Sequence, residues 1–364
     1  MKKIGILTFQ HVENYGALLQ AYALKRAFED QGHNVKILNY RCPAVENTYK
    51  IVKWPKKSLE DIIRQTAFLL LSPYKLYIRS RFIPFRKKYL LDTDPIFPAD
   101  IERKTADFDV LVTGSDQVFN PRIIGFDKNY FLAFNKNTAK NYSYAASFGI
   151  ELENLTDKER AFISAQLPCL HRLSVRERQG AQLVQALTGR TAEVHLDPTF
   201  LLNPEQWRTL AVTPKYTNYV LMYLMRKDPQ LIAFAQKLAR EKQCKLLYIS
   251  PSADIRNRVC AEHITPTPQE WLGLFLNARY VVTNSFHGLA FSVNFNKEFF
   301  LGKQPPSWPV NSRLDNLLDI TGLQERLYTH FTDRYDVPVD WTAVNEKIEN
   351  ERQKAFRYLQ EITQ

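Results

Sequence analysis

The 364-residue sequence has few cysteines and no long hydrophobic run. Its four cysteines, Cys42, Cys169, Cys244 and Cys260, are far apart, and none forms a C-x-x-C pair or joins a histidine group of the kind that holds zinc. We therefore expect reduced thiols and no metal site. No stretch reaches the roughly 18 apolar residues that span a bilayer, and the apolar run near the start is too short for a signal peptide. These absences favour a cytoplasmic protein.

The net charge of +11 is concentrated in one segment. Residues 50–90 contain eleven lysines and arginines against two acids, Glu60 and Asp61, which gives +9 and leaves about +2 for the rest of the chain. Such a local field suits an acidic partner on one side: a nucleotide-linked or lipid-linked substrate, or the inner face of a membrane contacted peripherally through residues 50–90. The alternative is a solvated face of two amphipathic helices. Nucleic acid is not expected, because no recognised binding motif accompanies the charge.

Short apolar strands alternate with helical segments along most of the chain. KIGILTF has the pattern of a buried strand, a helix follows to about Gly32, and NVKILNY is a second strand. The basic segment interrupts this rhythm until FDVLVTGSDQVFN. Strands that alternate with helices predict parallel sheets covered on both faces. The pattern restarts near residues 203–217, after which Pro229–Glu241 is a predicted helix, and Thr267 and Glu270 form the capping box of another.

The predicted fold class is therefore α/β, with parallel sheets in two Rossmann-like domains that face each other across a cleft. We assign residues 1–210 to an N-terminal Rossmann-like domain, which carries a basic helical insertion at about 50–92. Residues 211–335 form a C-terminal Rossmann-like domain. Residues 336–364 form a charged C-terminal helix that packs back across the domains.

Unusual polar clusters fall where the predicted strands end. In open parallel sheets, ligands bind beyond the carboxyl ends of the strands, where helix N-termini present unpaired N–H groups. The turn at Gly16 permits close backbone approach by a phosphate, although it lacks the spacing of a P-loop or a dinucleotide fingerprint. In GSDQVFNP, helix capping is the alternative to ligand contact. The candidates for binding the acceptor or a phosphate are Asn14, Tyr15, Gly16, Gly114, Ser115, Asp116, Gln117, Ser147 and Glu177.

Three arginines are candidates for binding a carboxylate or phosphate through paired hydrogen bonds, which lysine cannot imitate. Arg176 lies just past a strand in SVRE, and a salt bridge to Glu177 is the alternative. Arg226 has a similar position in the second half of the chain. Arg313 begins an amphipathic helix. Solvated surface is the alternative for both Arg226 and Arg313.

The histidine in TNSFHGLAF lies where a strand meets a helix. An isolated histidine is usually structural, so packing is the alternative to catalysis for His287. Asn284, Ser285 and Gly288 would leave room beside it for a substrate. A helix N-terminus disfavours a charged imidazole and a bound anion favours it. The pattern therefore predicts a histidine that becomes an acid when an anion binds.

Six motifs, taken in order, resemble the polysaccharide pyruvyl transferase family: NYGALLQAYAL, VTGSDQVFNP, SYAASFG, LSVRE, LDPTFLL and TNSFHGLAFSVNF. The resemblance extends from residue 4 to about residue 320. It implies two Rossmann-like halves similar to the metal-independent GT-B glycosyltransferases. It also implies transfer of a pyruvyl group from phosphoenolpyruvate onto two hydroxyls of one sugar as a cyclic ketal, with phosphoenolpyruvate as the donor substrate and no cofactor.

The resemblance implies that an arginine at the position of Arg176 and a histidine at the position of His287 take part in the reaction. Some members have Arg-Leu-His where this chain has Ser285-Phe286-His287. We therefore expect Arg226 or Arg313 to supply the missing cation. The predicted catalytic residues are His287 and Arg176, and the predicted donor-binding residues are Arg176, Arg226, Asn284, Ser285, Gly288 and Arg313.

Phosphoenolpyruvate carries a carboxylate and a phosphate, so its site needs cations for both and an acid for its methylene carbon. His287 would protonate that carbon, which leaves an oxocarbenium-like centre open to a sugar hydroxyl. Arg176, with helix N-termini, would hold the anion and help phosphate to leave. Glu177 and Asp116 are candidate bases for the hydroxyls.

The resemblance is less specific for the acceptor, which we expect to be a nucleotide-linked or lipid-linked sugar of a capsule, exopolysaccharide or other glycan precursor. Two other functions stay open on the sequence. A metal-independent GT-B glycosyltransferase would consume a nucleotide sugar instead of phosphoenolpyruvate. A non-catalytic sugar- or lipid-binding protein at the inner membrane face would bind without turnover.

Overall fold

Buried parallel strands form the centre of the structure, a computed structural model that describes residues 1–50, 72–249, 261–305, 311–328 and 337–364. Apolar runs such as VLVT and YVLMY are buried throughout, as expected for parallel sheets covered by helices. The strands are β1 Lys3–Leu7, β2 Asn34–Ile37, β3 Val110–Thr113, β4 Asn141–Ser143, β5 Ser174–Val175, β6 Glu193–Val194, β7 Tyr219–Tyr223, β8 Lys245–Ile249, β9 Glu262–Ile264, β10 Tyr280–Thr283 and β11 Glu298–Leu301.

The first sheet has the strand order β2-β1-β3-β4 and is parallel throughout. β1 lies between β2 and β3, so that Ile4 is opposite both Val35 and Val110. A bridge between Ala146 and Val175 places the short β5–β6 pair beyond β4. Strand addition changes direction between β1 and β3, and this switch point is where open parallel sheets bind ligands.

The second sheet has the strand order β11-β10-β7-β8-β9, and it is also parallel. Its switch point lies between β7 and β10. Tyr223 and Thr283 end these two strands as neighbours in the register. The loops after β7 and β10 therefore leave the sheet side by side.

Helices pack against both sheets. Helix α9, Pro229–Glu241, has the bounds predicted from the sequence. The predicted capping box begins helix α10, Pro268–Asn277, with Glu270 Oε2 accepting from Thr267 N at 2.8 Å. The α-helices are α1 Tyr15–Glu29, α2 Pro43–Thr48, α3 Ser72–Tyr89, α4 Ile101–Thr105, α5 Pro121–Ile124, α6 Asp157–Gln166, α7 Arg178–Thr188, α8 Pro204–Leu210, α9 Pro229–Glu241, α10 Pro268–Asn277, α11 Phe286–Asn294, α12 Ser312–Thr321 and α13 Trp341–Glu361. Short 3-10 helices include Lys128–Phe131, Pro198–Phe200 and Gln324–Arg326.

The C-terminal helix α13 packs back across both halves, as predicted. Tyr358 Oη donates to Ser143 O, at the end of β4, at 2.8 Å. Lys347 Nζ donates to Thr321 O, at the end of α12, at 3.1 Å. Together with the two parallel sheets, this packing confirms the predicted α/β fold class. The boundaries at residues 210 and 335 stay predictions: the first lies between β6 and β7, and the second lies outside the described residues.

The basic segment contains helix α3, whereas its residues 51–71 lie outside the described residues. Arg79 Nε donates to Glu13 Oε1 in the N-terminal half at 2.9 Å. Arg81 pairs with Glu270 in the C-terminal half. α3 therefore ties the two halves together with side chains that the sequence places in one positive field. Membrane contact through residues 50–90 stays a prediction, and no helix in the described ranges is long and apolar enough to cross a bilayer.

Candidate active site

A cavity of about 330 Å³ opens where the switch points of the two sheets face each other. The loops after β1 and β3 line it from the N-terminal half, and the loops after β7 and β10 line it from the C-terminal half. Residues of α2 and α12 complete the wall. The lining residues include Phe9, Val12, Asn14, Val45, Thr48, Tyr49, Asp116, Gln117, Met225, Asn284, Ser285, Phe286, His287, Gln304 and Arg313.

His287 lies in the first turn of α11 and forms part of the cavity wall. Ser285 caps this helix, since its Oγ accepts from Gly288 N at 3.4 Å. Gly16, in the first turn of α1, packs against the imidazole so closely that a Cβ there would overlap the ring. The turn at Gly16 therefore accommodates a histidine from the opposite half, in the place where the sequence predicts a phosphate.

The buried carboxylate of Asp197 faces the same ring. Its Oδ2 lies 3.7 Å from His287 Nε2 and accepts from Arg176 Nη1 at 2.6 Å. Burial by itself would raise the pKa of Asp197, but the proximity of His287 and the charge of Arg176 outweigh it and hold that pKa well below its ordinary value. The imidazole of His287 therefore faces a carboxylate that stays ionised.

Arg176 is buried at the base of the site, where it contacts two carboxylates. Besides its bond to Asp197, its Nη2 donates to Asp116 Oδ1 at 3.4 Å. Its guanidinium carbon lies 4.4 Å from the centre of the Phe286 ring, within the range of a cation–π contact. Burial would lower the pKa of Arg176, but the charges of Asp197 and Asp116 raise it, so the guanidinium stays charged.

Arg313 is the second cation at this end of the cavity. It begins α12, lines the cavity and places its guanidinium carbon 5.6 Å from the centre of the Phe286 ring. Within the described ranges Arg313 forms no ion pair, and its buried Nε has no hydrogen-bond partner. Burial lowers the pKa of Arg313 to about 10, and the like charge of Arg176 acts in the same direction. A bound anion would oppose both the burial and the like charge of Arg176, because it would pair with the guanidinium of Arg313.

Asn284 holds together the two loops at the switch point of the second sheet. Its Oδ1 accepts from Met225 N at 2.8 Å, and its Nδ2 donates to Arg226 O at 2.9 Å. Arg226 itself is exposed and does not line the cavity, and Gly288 packs against Thr283 instead of facing open space. Of the predicted donor-binding residues, the structure brings together Arg176, Asn284, Ser285 and Arg313 around His287.

The predicted acceptor- and phosphate-binding residues divide into two sets. Asn14, Asp116 and Gln117 line the cavity. Tyr15 stacks on Trp271 across the two halves, with ring centres 5.7 Å apart. The others are engaged in buried contacts: Gly16 with His287, Gly114 with the Tyr144 carbonyl, Ser115 Oγ with Ala145 O at 2.6 Å, and Ser147 Oγ with Glu177 Oε1 at 2.9 Å. The last contact takes the place of the salt bridge between Arg176 and Glu177 that the sequence left open.

Asp116 has a left-handed backbone conformation, with φ of 68°. This conformation is uncommon for residues other than glycine, and such residues cluster at functional sites. Asp116 both lines the cavity and contacts Arg176. Tyr49 forms another part of the wall; burial, and then the nearby carboxylates of Glu13 and Asp116, raise its pKa well above the ordinary value. Its phenol is therefore neutral.

Sequence reasoning did not single out Asp197 or Tyr49. Asp197 lies in LDPTFLL, one of the motifs that carry the family resemblance, but an aspartate before a proline is also a typical cap of a helical turn. It does cap the turn at Pro198, as its Oδ1 accepts from Thr199 N at 3.0 Å. Tyr49 lies at the edge of the basic segment, and no motif marks it.

The arrangement can bind an anion and donate a proton to it. Arg176 and Arg313 both lie against Phe286, and the first turn of α11 presents His287 beside them. Asp116 adds a carboxylate that can accept a proton from a second reactant. In the described part of the chain, no group of three or more histidine, cysteine, aspartate and glutamate side chains is arranged to hold a metal ion.

Known structures share this fold at low sequence identity. An α-glucosyltransferase solved in complex with UDP aligns with a TM-score of 0.50 and 10% identity, over 99% of this chain and 95% of its own. UDP-GlcNAc 2-epimerase from Neisseria meningitidis aligns with a TM-score of 0.47 and 11% identity, over 100% of this chain and 99% of its own. Spinosyn rhamnosyltransferase aligns with a TM-score of 0.47 and 13% identity, over 100% of both chains. The match to the α-glucosyltransferase, together with the chain's own two parallel sheets, indicates a GT-B-like fold. No curated protein matches the chain.

The sequence model described as polysaccharide pyruvyl transferase matches residues 14–301. This range covers most of the chain and includes Arg176, Asp197 and His287, whereas Arg313 lies beyond it. The match indicates a transferase that acts in polysaccharide biosynthesis. The chain belongs to the polysaccharide pyruvyl transferase family.

Proposed function

We propose that this transferase takes its pyruvyl group from phosphoenolpyruvate and joins it to two hydroxyls of one sugar as a cyclic ketal. The proposal is supported above all by Arg313, a cation that has no ion-pair partner within the described ranges and shares a cavity with His287. Phosphoenolpyruvate presents two anionic groups on three carbons, together with a double bond that must be protonated. The site offers a group for each of these needs.

Arg313 and Arg176 divide the binding of the donor between them. Arg176 already bonds to Asp197 and contacts Asp116, so much of its charge is balanced by carboxylates. Arg313 is therefore the stronger anchor for the carboxylate or phosphate of the donor, which a guanidinium binds through two parallel hydrogen bonds. The first amide groups of α11 add the partial positive charge of a helix N-terminus.

His287 starts the reaction as a general acid. Its proton goes to the methylene carbon, the electrons of the double bond form the new C–H bond, and positive charge develops on the carbon that bears the phosphate. One sugar hydroxyl attacks that carbon and loses its proton. The second hydroxyl then loses its proton and takes the place of the phosphate, which leaves with the electrons of the broken C–O bond. Asp197 Oδ2, 3.7 Å from His287 Nε2, lies beside the ring from which the proton departs.

Asp116 is the better placed of the two candidate bases for the hydroxyls. It lines the cavity, whereas Glu177 does not, and Glu177 Oε1 already accepts from Ser147 Oγ and Phe148 N. The acceptor we propose is a sugar linked to a nucleotide or a lipid. Its hydroxyls would enter from the part of the cavity lined by Asn14 and Gln117.

The test is incubation of the purified protein with phosphoenolpyruvate and a panel of nucleotide-linked and lipid-linked sugars. We expect phosphate release only when an acceptor is present, and a product whose mass exceeds that of the acceptor by one pyruvate less one water. Mass spectrometry reads the product, and a phosphate assay reads the release.

Two outcomes would contradict the proposal. Consumption of a nucleotide sugar with transfer of its glycosyl group would favour the GT-B glycosyltransferase. Saturable binding of every sugar tested, with no product in any pairing with phosphoenolpyruvate, would favour a binding protein.

A further inference from the structure

A second group of charged side chains lies at the carboxyl ends of β1 and β2. Arg41 follows β2, and Arg79 and Arg86 reach the same region from α3. Two carboxylates face them: Glu13 Oε1 accepts from Arg79 Nε at 2.9 Å, and Glu46 Oε1 accepts from Arg41 Nη1 at 3.3 Å. We call these five residues the strand-end arginine cluster. None of them belongs to the site around His287.

Arg86 is the member of the cluster whose burial needs an explanation. The residue is only 4% exposed, and its Nη1 lies 4.0 Å from Glu13 Oε1, beyond a hydrogen bond. Among the described residues its Nε and Nη1 have no hydrogen-bond partner, and the same holds for Nε of Arg41. A buried guanidinium without hydrogen bonds is costly, whereas oxygen atoms of an anion would satisfy such donors and balance their charge.

The charges of the strand-end arginine cluster do not balance. Three arginines face two glutamates, and Glu46 also accepts from His11 Nδ1 at 2.7 Å. Burial lowers the pKa of Arg86, Glu13 opposes that effect, and the neighbouring Arg79 adds to it. The cluster therefore holds one positive charge in excess, together with unused donors.

The position of the cluster connects it to the active-site cavity. Val12 and Asn14, on either side of Glu13, both line that cavity, as do Val45 and Tyr49 on either side of Glu46. A ligand with one end beside His287 and Asp116 can therefore extend past Tyr49 toward the arginines.

We infer that the strand-end arginine cluster binds the diphosphate that joins the acceptor sugar to its carrier. The inference rests on the proposed function, because it takes the sugar end of that ligand to be the pyruvyl acceptor. Nucleoside and polyprenyl carriers present the same diphosphate, which two or three guanidinium groups can bind through parallel charge-assisted hydrogen bonds.

The test compares Arg86→Met with the wild type, using inorganic pyrophosphate as the probe and melting temperature as the readout. Titrations are done with phosphoenolpyruvate at saturation, so that the donor site is occupied. We expect the affinity for pyrophosphate to fall at least about tenfold. Without ligand, Arg86→Met should melt at the same temperature as the wild type or higher, because it removes a buried cation whose Nε and Nη1 have no hydrogen-bond partner among the described residues. Unchanged pyrophosphate affinity would overturn the inference.

Arg41→Met serves as the second variant, because the Arg41 side chain is partly exposed and we expect its loss to leave the fold intact. It too should weaken pyrophosphate binding, and wild-type affinity in it would contradict the inference. Arg313→Met is the matched control: it should lose stabilisation by phosphoenolpyruvate and keep stabilisation by pyrophosphate. A wild type that is not stabilised by phosphoenolpyruvate would instead count against the proposed function.

Uridine diphosphate and geranyl diphosphate distinguish the two carriers. The probe that binds more tightly to the wild type, and that loses affinity in Arg86→Met, identifies the carrier class. If Arg86→Met weakens neither probe, the cluster does not bind a carrier diphosphate.

Discussion

At the scale of single residues, the proposed donor site is distinguished by the part of the chain that supplies its second cation. The resemblance to family members with Arg-Leu-His leads one to expect an arginine at position 285, but Ser285 caps α11 there. The guanidinium of Arg313 comes instead from α12 and lies against Phe286, on the ring that Arg176 also contacts. Asp197 and Asp116 accept hydrogen bonds from Arg176, whereas Arg313 forms no ion pair within the described ranges, so a bound anion would offset its charge.

Arg313→Met should therefore raise the KM for phosphoenolpyruvate by about 10- to 100-fold, since a charge-assisted hydrogen bond contributes about 1.5–3 kcal/mol. The kcat should fall much less, because the acid is untouched. Steady-state kinetics with acceptor at saturation measure both. Arg226→Met, at an exposed position outside the cavity, is the control and should leave KM unchanged. A wild-type KM in Arg313→Met would show that the donor is anchored elsewhere.

His287→Gln should have the opposite signature. It keeps a polar side chain in the first turn of α11 but removes the acid, so kcat should fall by about 10²–10⁴-fold. Binding of phosphoenolpyruvate, measured by calorimetry, should change little, because Arg313 and Arg176 remain. Turnover at the wild-type rate would remove the acid role, and equal losses of binding and turnover would make His287 a binding residue.

The sequence predicted the site where chemistry and local position coincide. Arg176, Asn284 and His287 stand at strand ends, and the sheet topology alone brings strand ends together. Asp197 was missed because its contacts to Arg176 and His287 depend on how two distant segments pack. The sequence predicts a close approach at the Gly16 turn but assigns it to a phosphate, whereas the His287 ring fills that space. No pattern within one segment shows which ring from the other half lies beside it.

At the scale of elements, α13 is held to the first sheet by a buried aromatic contact that includes a histidine. His195 lies beside the Tyr358 ring of α13, with ring centres 4.7 Å apart, and near Tyr144. Its Nδ1 is 2.8 Å from Ser174 Oγ in β5. Burial lowers the pKa of His195 from 6.5 to about 4. The helix is thus docked on a ring that must be neutral.

Acid should weaken this docking within a defined range of pH. Because the folded pKa of His195 is depressed, the unfolded chain binds more protons between pH 6.5 and about 4. The contribution of His195 to stability is complete above about pH 6.5 and is lost as the pH falls toward 4, by at most about 1.4 kcal/mol per pH unit.

His195→Gln should make the melting temperature depend less on pH in that range, because glutamine can keep the bond to Ser174 and takes up no proton. His171→Gln, at an exposed histidine, is the control and should leave the pH profile as it is in the wild type. If the melting temperatures of the wild type and His195→Gln change with pH in the same way, then His195 does not cause the loss of stability in acid.

At the scale of the whole molecule, the alternation of strands and helices was enough to predict two parallel sheets and a returning C-terminal helix. It could not predict which faces meet. Arg81 of α3 pairs with Glu270, and Tyr15 stacks on Trp271, and these contacts between the halves follow no local periodicity. They depend on the final packing, which also determines how close the strand ends of one sheet come to those of the other.

Gly16 packs directly against the His287 ring of the other half, which makes Gly16→Ala a test of the whole arrangement. The added methyl group would overlap the imidazole of His287, so either the ring leaves its place or the two halves move apart. Overpacking of this kind costs about 1–3 kcal/mol, and turnover should fall about tenfold or more, with a small drop in melting temperature. Gly180→Ala is the matched control, since its Cβ would meet Phe148 and Val175 at an ordinary 3.4 Å inside α7. If Gly16→Ala turns over as fast as Gly180→Ala, then His287 does not react from the position it holds between the two sheets.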